Sequence, residues 1–238
     1  MSLARASLCG LLLLALGCTL TLPFDEITGG PARGGPPPTA HWRFDQDTGA
    51  VIRESNGRLD GAFGDEGSGR WTANGRRGGG MDFPFESSVE IPGLADARFP
   101  LRATVALWAR VTKVDGDGTY LFYAGNGEDE SAEMTVAVES SGVLFERTAG
   151  DVRYSSSPPV PANAWVLVVV GWDIPANKTA LLVREDGKEP SAVVRGDLPP
   201  GFALDEPAFV FLASPDGTLD DVRYWDRLLT DDELRALD

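Results

Sequence analysis

The chain contains a single histidine, His41. Nucleophilic catalysis of the serine or cysteine type needs a base that an acid orients beside its nucleophile. His41 stands next to Trp42 with no such set around it, so it reads as a structural or exposed residue. Glycoside hydrolysis needs two carboxylates flanking one bond. Glu128, Asp129, Glu130 and Glu133 have approximately suitable spacing, but they follow Gly125-Asn126-Gly127 and are interleaved with Ser131 and Ala132. Without large apolar neighbours to bury an active-site strand, this stretch reads as a solvated loop. Asp115-Gly116-Asp117-Gly118 begins like a calcium loop but lacks the later ligands and the distal Glu, leaving a tight turn. Arg76-Arg77-Gly78-Gly79-Gly80 offers backbone amides to an anion, yet no strand-to-helix context supports a phosphate site, so it shapes a loop. Arg195-Gly196-Asp197 spells an adhesion tripeptide in what reads as a loop before Pro199-Pro200, and Asn177-Lys178-Thr179 suits a hairpin turn. No catalytic set emerges, and the expectation is that the chain is not an enzyme.

Charge and cysteine use narrow the partners. Acidic residues number 36 against 21 basic ones, a formal net charge of −15. Such a chain repels phosphate backbones, which argues against nucleic acid. The only cysteines are Cys9 and Cys18. Arg5 precedes an apolar run from Leu8 to Leu16, too short for a bilayer span of about 20 residues but suited to a signal peptide. The run ends in Leu14-Ala15-Leu16-Gly17-Cys18, which resembles the lipobox of bacterial lipoproteins. That resemblance implies a signal peptide over 1–17 and a lipid on the Cys18 thiol, anchoring the chain to a membrane. Thr19 in place of Asp implies the outer membrane or cell surface. The mature chain then has no thiol, and its stability rests on core packing.

Residues 18–38 are rich in Pro and Gly and read as a lipidated tether. From 39 to 238 short apolar runs recur between Gly, Pro, Asn and Asp clusters, the pattern of a β-sandwich or barrel forming one domain. Val105, Leu107, Ala109 and Val111 alternate with Ala106, Trp108 and Arg110, and Met134, Val136 and Val138 alternate with Thr135 and Ala137. Trp165 to Trp172 is almost wholly apolar, predicting a central strand covered on both faces. One helix is expected, and it is last. Thr230 and Glu233 have capping-box spacing, and Leu229 and Leu234 are placed as a hydrophobic staple.

Several segments, in order, resemble the laminin-G-like, concanavalin-A-like jelly roll. They are His41-Trp42-Arg43-Phe44-Asp45, Arg70-Trp71 through Gly78-Gly79-Gly80-Met81-Asp82-Phe83, Ala103 to Val111 and Trp165 to Asp173. The most specific is Leu219-Asp220-Asp221-Val222-Arg223-Tyr224, followed by Leu228-Leu229-Thr230 and Glu233-Leu234. Pro84-Phe85 departs from the short Asp-Gly turn frequent at that place. The resemblance implies an all-β, antiparallel two-sheet sandwich with one short C-terminal helix. It also implies a structural calcium where the first and last strands meet, held by Asp221 with Asp45 nearby; the alternative is that both acids cap turns or pair with Arg223 and Arg43. Trp71, Tyr120 and Tyr123 each sit by a turn and are the candidate ligand contacts, with core packing as their alternative fate. The expected function is a non-catalytic cell-envelope lipoprotein whose jelly roll binds carbohydrate or an envelope or extracellular protein. The rival readings are a structural lipoprotein without a soluble ligand and a β-glycan hydrolase.

Overall fold

The computed structural model describes residues 35–64, 69–84, 87–95, 100–112, 119–125, 134–139, 142–147, 152–156, 159–198, 209–213 and 216–238. Cys18, the signal segment, the Glu128 to Glu133 acids, the Asp115 to Gly118 turn and Phe85 lie outside them. Residues Ala32–Asp238 belong to one compact unit.

Two antiparallel sheets form a sandwich. The first runs in the order β14 (Val194–Asp197), β13 (Lys178–Glu185), β12 (Trp165–Asp173), β7 (Arg102–Val111), β16 (Gly217–Trp225), β5 (Gly79–Phe83) and β4 (Arg70–Arg77). The short β1 (Ala40–Trp42) pairs with β16, so the first and last strands meet. The second sheet runs β11 (Val152–Ser156), β10 (Gly142–Arg147), β9 (Met134–Glu139), β8 (Thr119–Gly125), β15 (Phe209–Ala213), β6 (Ser88–Glu90), β3 (Gly61–Phe63) and β2 (Val51–Ile52). This is the all-β architecture that the alternating pattern implied.

Alternation along each strand decides which residues enter the interior. Val105, Leu107 and Ala109 of β7, Val168 and Val170 of β12, and Leu219 of β16 meet Phe122 of β8 and Met134, Val136 and Val138 of β9 in the main core. Each fully buried valine or leucine contributes about 1.5–3 kcal/mol relative to exposure. The opposite face of the first sheet carries a second apolar cluster, in which Ala106, Trp108, Leu167, Val169, Ala180 and Leu182 pack against Trp225, Leu229, Leu234 and Leu237. β12 is therefore covered on both faces, as its unbroken apolar run predicted.

Two short helices accompany the sheets: α1 (Pro92–Ala95), which the sequence did not suggest, and α2 (Asp231–Ala236). The capping box of α2 is complete. The Glu233 N–H donates to Thr230 Oγ1 at 3.3 Å, and the Thr230 N–H donates to Glu233 Oε2 at 3.0 Å. Leu229 and Leu234 flank that cap and are buried together on the outer face of the first sheet. The helix thus covers part of a sheet face. The Trp225 indole N–H donates to the Pro36 carbonyl at 3.1 Å, so the incoming segment is fastened to the same covered region.

Candidate functional site

The helix covers only part of that outer face. The rest of it is built by alternation on five adjacent strands. Asp220 of β16 lies opposite Trp108 of β7, Trp108 opposite Leu167 of β12, and Leu167 opposite Arg184 of β13. The next row holds Asp82 of β5, Thr218, Arg110 and Trp165. Trp165, Arg110 and Arg184 are half-buried, while Trp108 and Asp220 are fully buried.

Guanidinium groups lie over both indoles. Arg76, on the β4–β5 hairpin, places Cζ 3.7 Å from the Trp108 ring centroid. Arg184 approaches the same ring at 5.7 Å, and Arg110 lies 5.0 Å from the Trp165 ring. Such contacts contribute about 0.5–2 kcal/mol each, more as they are desolvated. Arg76 also donates from Nη2 to Asp186 Oδ1 at 2.7 Å, on the turn after β13. Asp186 is nearly half-exposed, so this ion pair contributes about 0–1 kcal/mol. Burial pushes the Arg184 guanidinium below the usual arginine range, with Asp238 pulling against it. Arg110 Nη2 donates to Thr218 Oγ1 at 3.0 Å, and Thr218 in turn donates to Asp82 Oδ1 at 2.6 Å.

Four of the six tryptophans donate their indole N–H to a carbonyl: Trp42 to Leu59, Trp71 to Gly49, Trp172 to Pro100 and Trp225 to Pro36. Trp108 does not. Its Nε1 is buried without a hydrogen-bond partner among the described residues, as is Oδ1 of Asp220. The other Asp220 oxygen accepts the Arg77 N–H at 2.8 Å. The glycine-rich stretch that offered amides to an anion therefore holds the chain's own carboxylate. Burial, and the neighbouring Asp221 charge, raise Asp220 to about 7 against the pull of the Arg77, Asp221 and Arg76 backbone N–H groups.

Asp221 has different surroundings. Between Asp220 and Arg223, β16 carries one more residue than the facing stretch of β7 from Trp108 to Ala106, a β-bulge. Asp221 takes up the extra length with φ 52° and leaves the core face. Its carboxylate meets His41 Nε2 at 2.5 Å and Arg223, whose Nε lies 3.2 Å from Oδ1. Burial alone would push its pKa up, but the His41 hydrogen bond and the Arg223 charge hold it at about 2.

The expected calcium ligands are thus placed apart in role. Both Asp221 oxygens are engaged by cationic or donor side chains, and Asp45 Oδ1 accepts the Gly79 N–H at 3.0 Å. Among the described residues no group of three or more His, Cys, Asp or Glu side chains stands ready for a metal. Asp221 in this arrangement does not fit a calcium ligand, because an adjacent buried guanidinium already neutralises it.

The three expected contact aromatics do not converge. Trp71, on β4, packs inward against the main core, with its ring centroid 6.4 Å from that of Phe44. Tyr120 and Tyr123 lie on β8 of the other sheet; Tyr120 is 50% exposed and Tyr123 half-buried. Arg195-Gly196-Asp197 forms the edge strand β14, not a loop, and the Arg195 Nε donates to Asp231 at 2.9 Å. Asn177 closes the β12–β13 hairpin with φ 53°. The residues that gather on the uncovered face, Arg76, Trp108, Trp165, Arg110, Arg184 and Asp220, were not among the expected contacts. Their signal was the second stripe of β7, where Ala106, Trp108 and Arg110 share one face.

Among the described residues no helix is long and apolar enough to cross a membrane. The family model described as the concanavalin A-like lectin/glucanases superfamily matches residues 80–235. No curated protein matches the sequence. Among solved structures, the chain is similar to domain 4 of AbnA, a GH43 extracellular arabinanase from Geobacillus stearothermophilus, in complex with arabinotriose, at a TM-score of 0.60 and 16% identity, covering 84% of this chain and 98% of that one. It is also similar to the CBM40 of the Ruminococcus gnavus IT-sialidase bound to alpha2,3 sialyllactose, at 0.50 and 17%, covering 66% and 94%. Trypanosoma rangeli sialidase gives 0.65 and 15%, covering 90% of this chain but 36% of that one. At these identities the likeness is one of fold.

Proposed function

The chain belongs to the concanavalin A-like lectin/glucanase superfamily, and from that premise we propose that it is a non-catalytic glycan-binding module, exported and held at the cell envelope by a lipid on Cys18. The observation that carries the reading is the part of the first sheet's outer face that the helix leaves free, where Trp165 is half-buried and Trp108 lies beneath Arg76. There two indoles lie in adjacent rows, flanked by the Arg110 guanidinium, the Thr218 hydroxyl and the Asp82 carboxylate. Flat aromatic surface beside planar and hydroxylic hydrogen-bonding groups suits a sugar, which offers a C–H face and a rim of hydroxyls. The arabinotriose and sialyllactose bound to two of the similar domains agree with this reading.

The hydrolase reading has one specific observation in its favour, the Asp220 carboxyl raised to about 7, a property of general acids. Against it, glycoside hydrolysis needs a second carboxylate across the bond, and the adjacent Asp221 is engaged by His41 and Arg223. A glycan array read with the full domain, in parallel with a release assay on arabinan and β-glucan, tests both. Binding without release is the expected result. Release of sugar would replace the non-catalytic reading, and an empty array with an empty cell-envelope pull-down would remove the binding role.

A further inference from the structure

We propose that Trp108 is the floor of a subsite for an uncharged sugar ring, and that Arg76 covers this subsite in cis until the sugar displaces it. The inference rests on the glycan-binding reading and deepens it.

The Arg76 guanidinium lies over the indole, its Cζ 3.7 Å from the ring centroid, at the place where the C–H face of a sugar ring would stack. Two buried polar atoms on these rows have no partner among the described residues, Nε1 of Trp108 and Oδ1 of Asp220. Their residues are direct cross-strand neighbours, and both are at most 1% exposed. A folded chain rarely leaves such atoms unsatisfied except where something else completes them. One is a donor and the other an acceptor. Two neighbouring hydroxyls of a sugar match that pair, one accepting from the indole N–H and the other donating to the carboxylate.

The cover is built to move. β4 and β5 pair at Thr72–Gly80 and at Arg77–Gly79 with a register break between, and the Gly75 N–H donates to the Gly78 carbonyl at 3.2 Å, so what moves is the Arg76 side chain and not the hairpin backbone. Arg76 is held over the ring by Asp186, whose side chain is 45% exposed and which lies on a turn rather than in a strand. Gly75 lies so close to the Gly79 carbonyl that an ideal Cβ would sit 1.6 Å from that oxygen, so this hairpin needs a glycine there. Charge selects the sugar class. Asp186 pairs with Arg76, Asp82 accepts from the Thr218 hydroxyl that Arg110 also reaches, and the chain carries a net charge of −15. An uncharged pentose or hexose is favoured over a sialic acid.

The test uses one array of neutral and acidic oligosaccharides, including arabinotriose and alpha2,3 sialyllactose, read with the parent protein and with Arg76→Ala. Binding to neutral sugars is expected to rise about tenfold in Arg76→Ala, and less in Asp186→Ala, which frees the same arginine from outside the core. Adding Trp108→Leu to Arg76→Ala is expected to abolish the gain, with near-ultraviolet circular dichroism checking that the fold persists. If the parent protein binds sugars and neither Arg76→Ala nor Asp186→Ala strengthens that binding, the covered subsite is overturned while the glycan reading stands. A gain confined to acidic sugars overturns the assigned class. If no protein binds any sugar on the array, both readings fall.

Discussion

Asp220 and Asp221 are adjacent in sequence, both are buried, and their carboxyls are displaced in opposite directions, to about 7 and about 2. The cause is the bulge in β16. It turns both acids away from the main core, but one goes to a stretch of backbone and indole and the other to a guanidinium and an imidazole. A regular strand would have sent one of the two into the apolar interior, where no partner waits. The pair is therefore a means of placing two acids on one side of a strand, at the junction of first and last strands.

Opposite displacements give opposite pH dependences. The folded chain holds the Asp220 proton up to about pH 7, whereas the unfolded chain releases it near 3.8. Between those values the folded state binds more protons, so this residue lowers stability as pH rises through the window, by up to about 1.4 kcal/mol per pH unit. Asp221 contributes stability that is complete above 3.8 and lost as pH falls towards 2. Urea unfolding at pH 5 and pH 8 is expected to show the parent protein weaker at pH 8. Asp220→Asn should flatten that difference, and an unchanged slope in the variant would show that the carboxyl titrates normally.

Asp221 neutralises Arg223, which is 4% exposed. Asp221→Ala strands that buried charge, and a loss of about 3–5 kcal/mol is expected. Because the carboxylate is already spoken for, chelation with EDTA should leave the unfolding temperature of the parent protein unchanged. A fall in that temperature, reversed by added calcium, would show a metal at this junction after all.

The C-terminal helix rests on a single reciprocal cap. Thr230→Ala removes the acceptor for the Glu233 N–H and loosens Leu229 and Leu234 from the sheet. A cost of about 1 kcal/mol is expected, read as a fall of about 2–4 °C in unfolding temperature. A drop well beyond this would mean that the helix holds down more of the outer face than its short contact suggests.

Much of this was legible in the residues, and the exceptions have physical reasons. The β7 and β12 patterns gave the buried strands because a two-residue beat and an unbroken apolar run are local properties. The Thr230–Glu233 cap was legible for the same reason. The bulge at Asp221 was not, since an extra residue in a strand is defined only against its partner. The Arg76–Trp108 contact joins a hairpin tip to a strand far along the chain, and nothing local foretells it. Trp71 stood by a turn and looked like a ligand contact, but tertiary packing turned it inward. Arg195-Gly196-Asp197 looked like a loop because it precedes two prolines, yet an edge strand tolerates prolines just past its end.

The anchor has a direct test. If Cys18 carries a lipid, Cys18→Ser should abolish incorporation of a labelled fatty acid and move the protein from the membrane fraction to the soluble one. Unchanged labelling and fractionation in the variant would dismiss the lipid. Glycan binding by the domain should not depend on this change, because the strands that build the outer face come from residues beyond the tether.

Two surfaces compete for the ligand, and single aromatic substitutions separate them. Trp165 lies half-buried on the outer face of the first sheet beside Arg110, and Tyr120 lies half-exposed on the second sheet. Neither ring is in the main core; Tyr120→Ala should cost little stability, and Trp165→Ala, which takes a half-buried ring from the edge of the second cluster, somewhat more. An exposed ring that stacks on a sugar contributes about 1 kcal/mol or more, so losing the right one weakens binding at least about fivefold. Trp165→Ala is expected to weaken sugar binding by that factor and Tyr120→Ala to leave it unchanged, as read by titration calorimetry with the strongest ligand of the array. The reverse outcome would move the site to the tyrosines of β8, and with it the whole argument from the guanidinium-covered indoles.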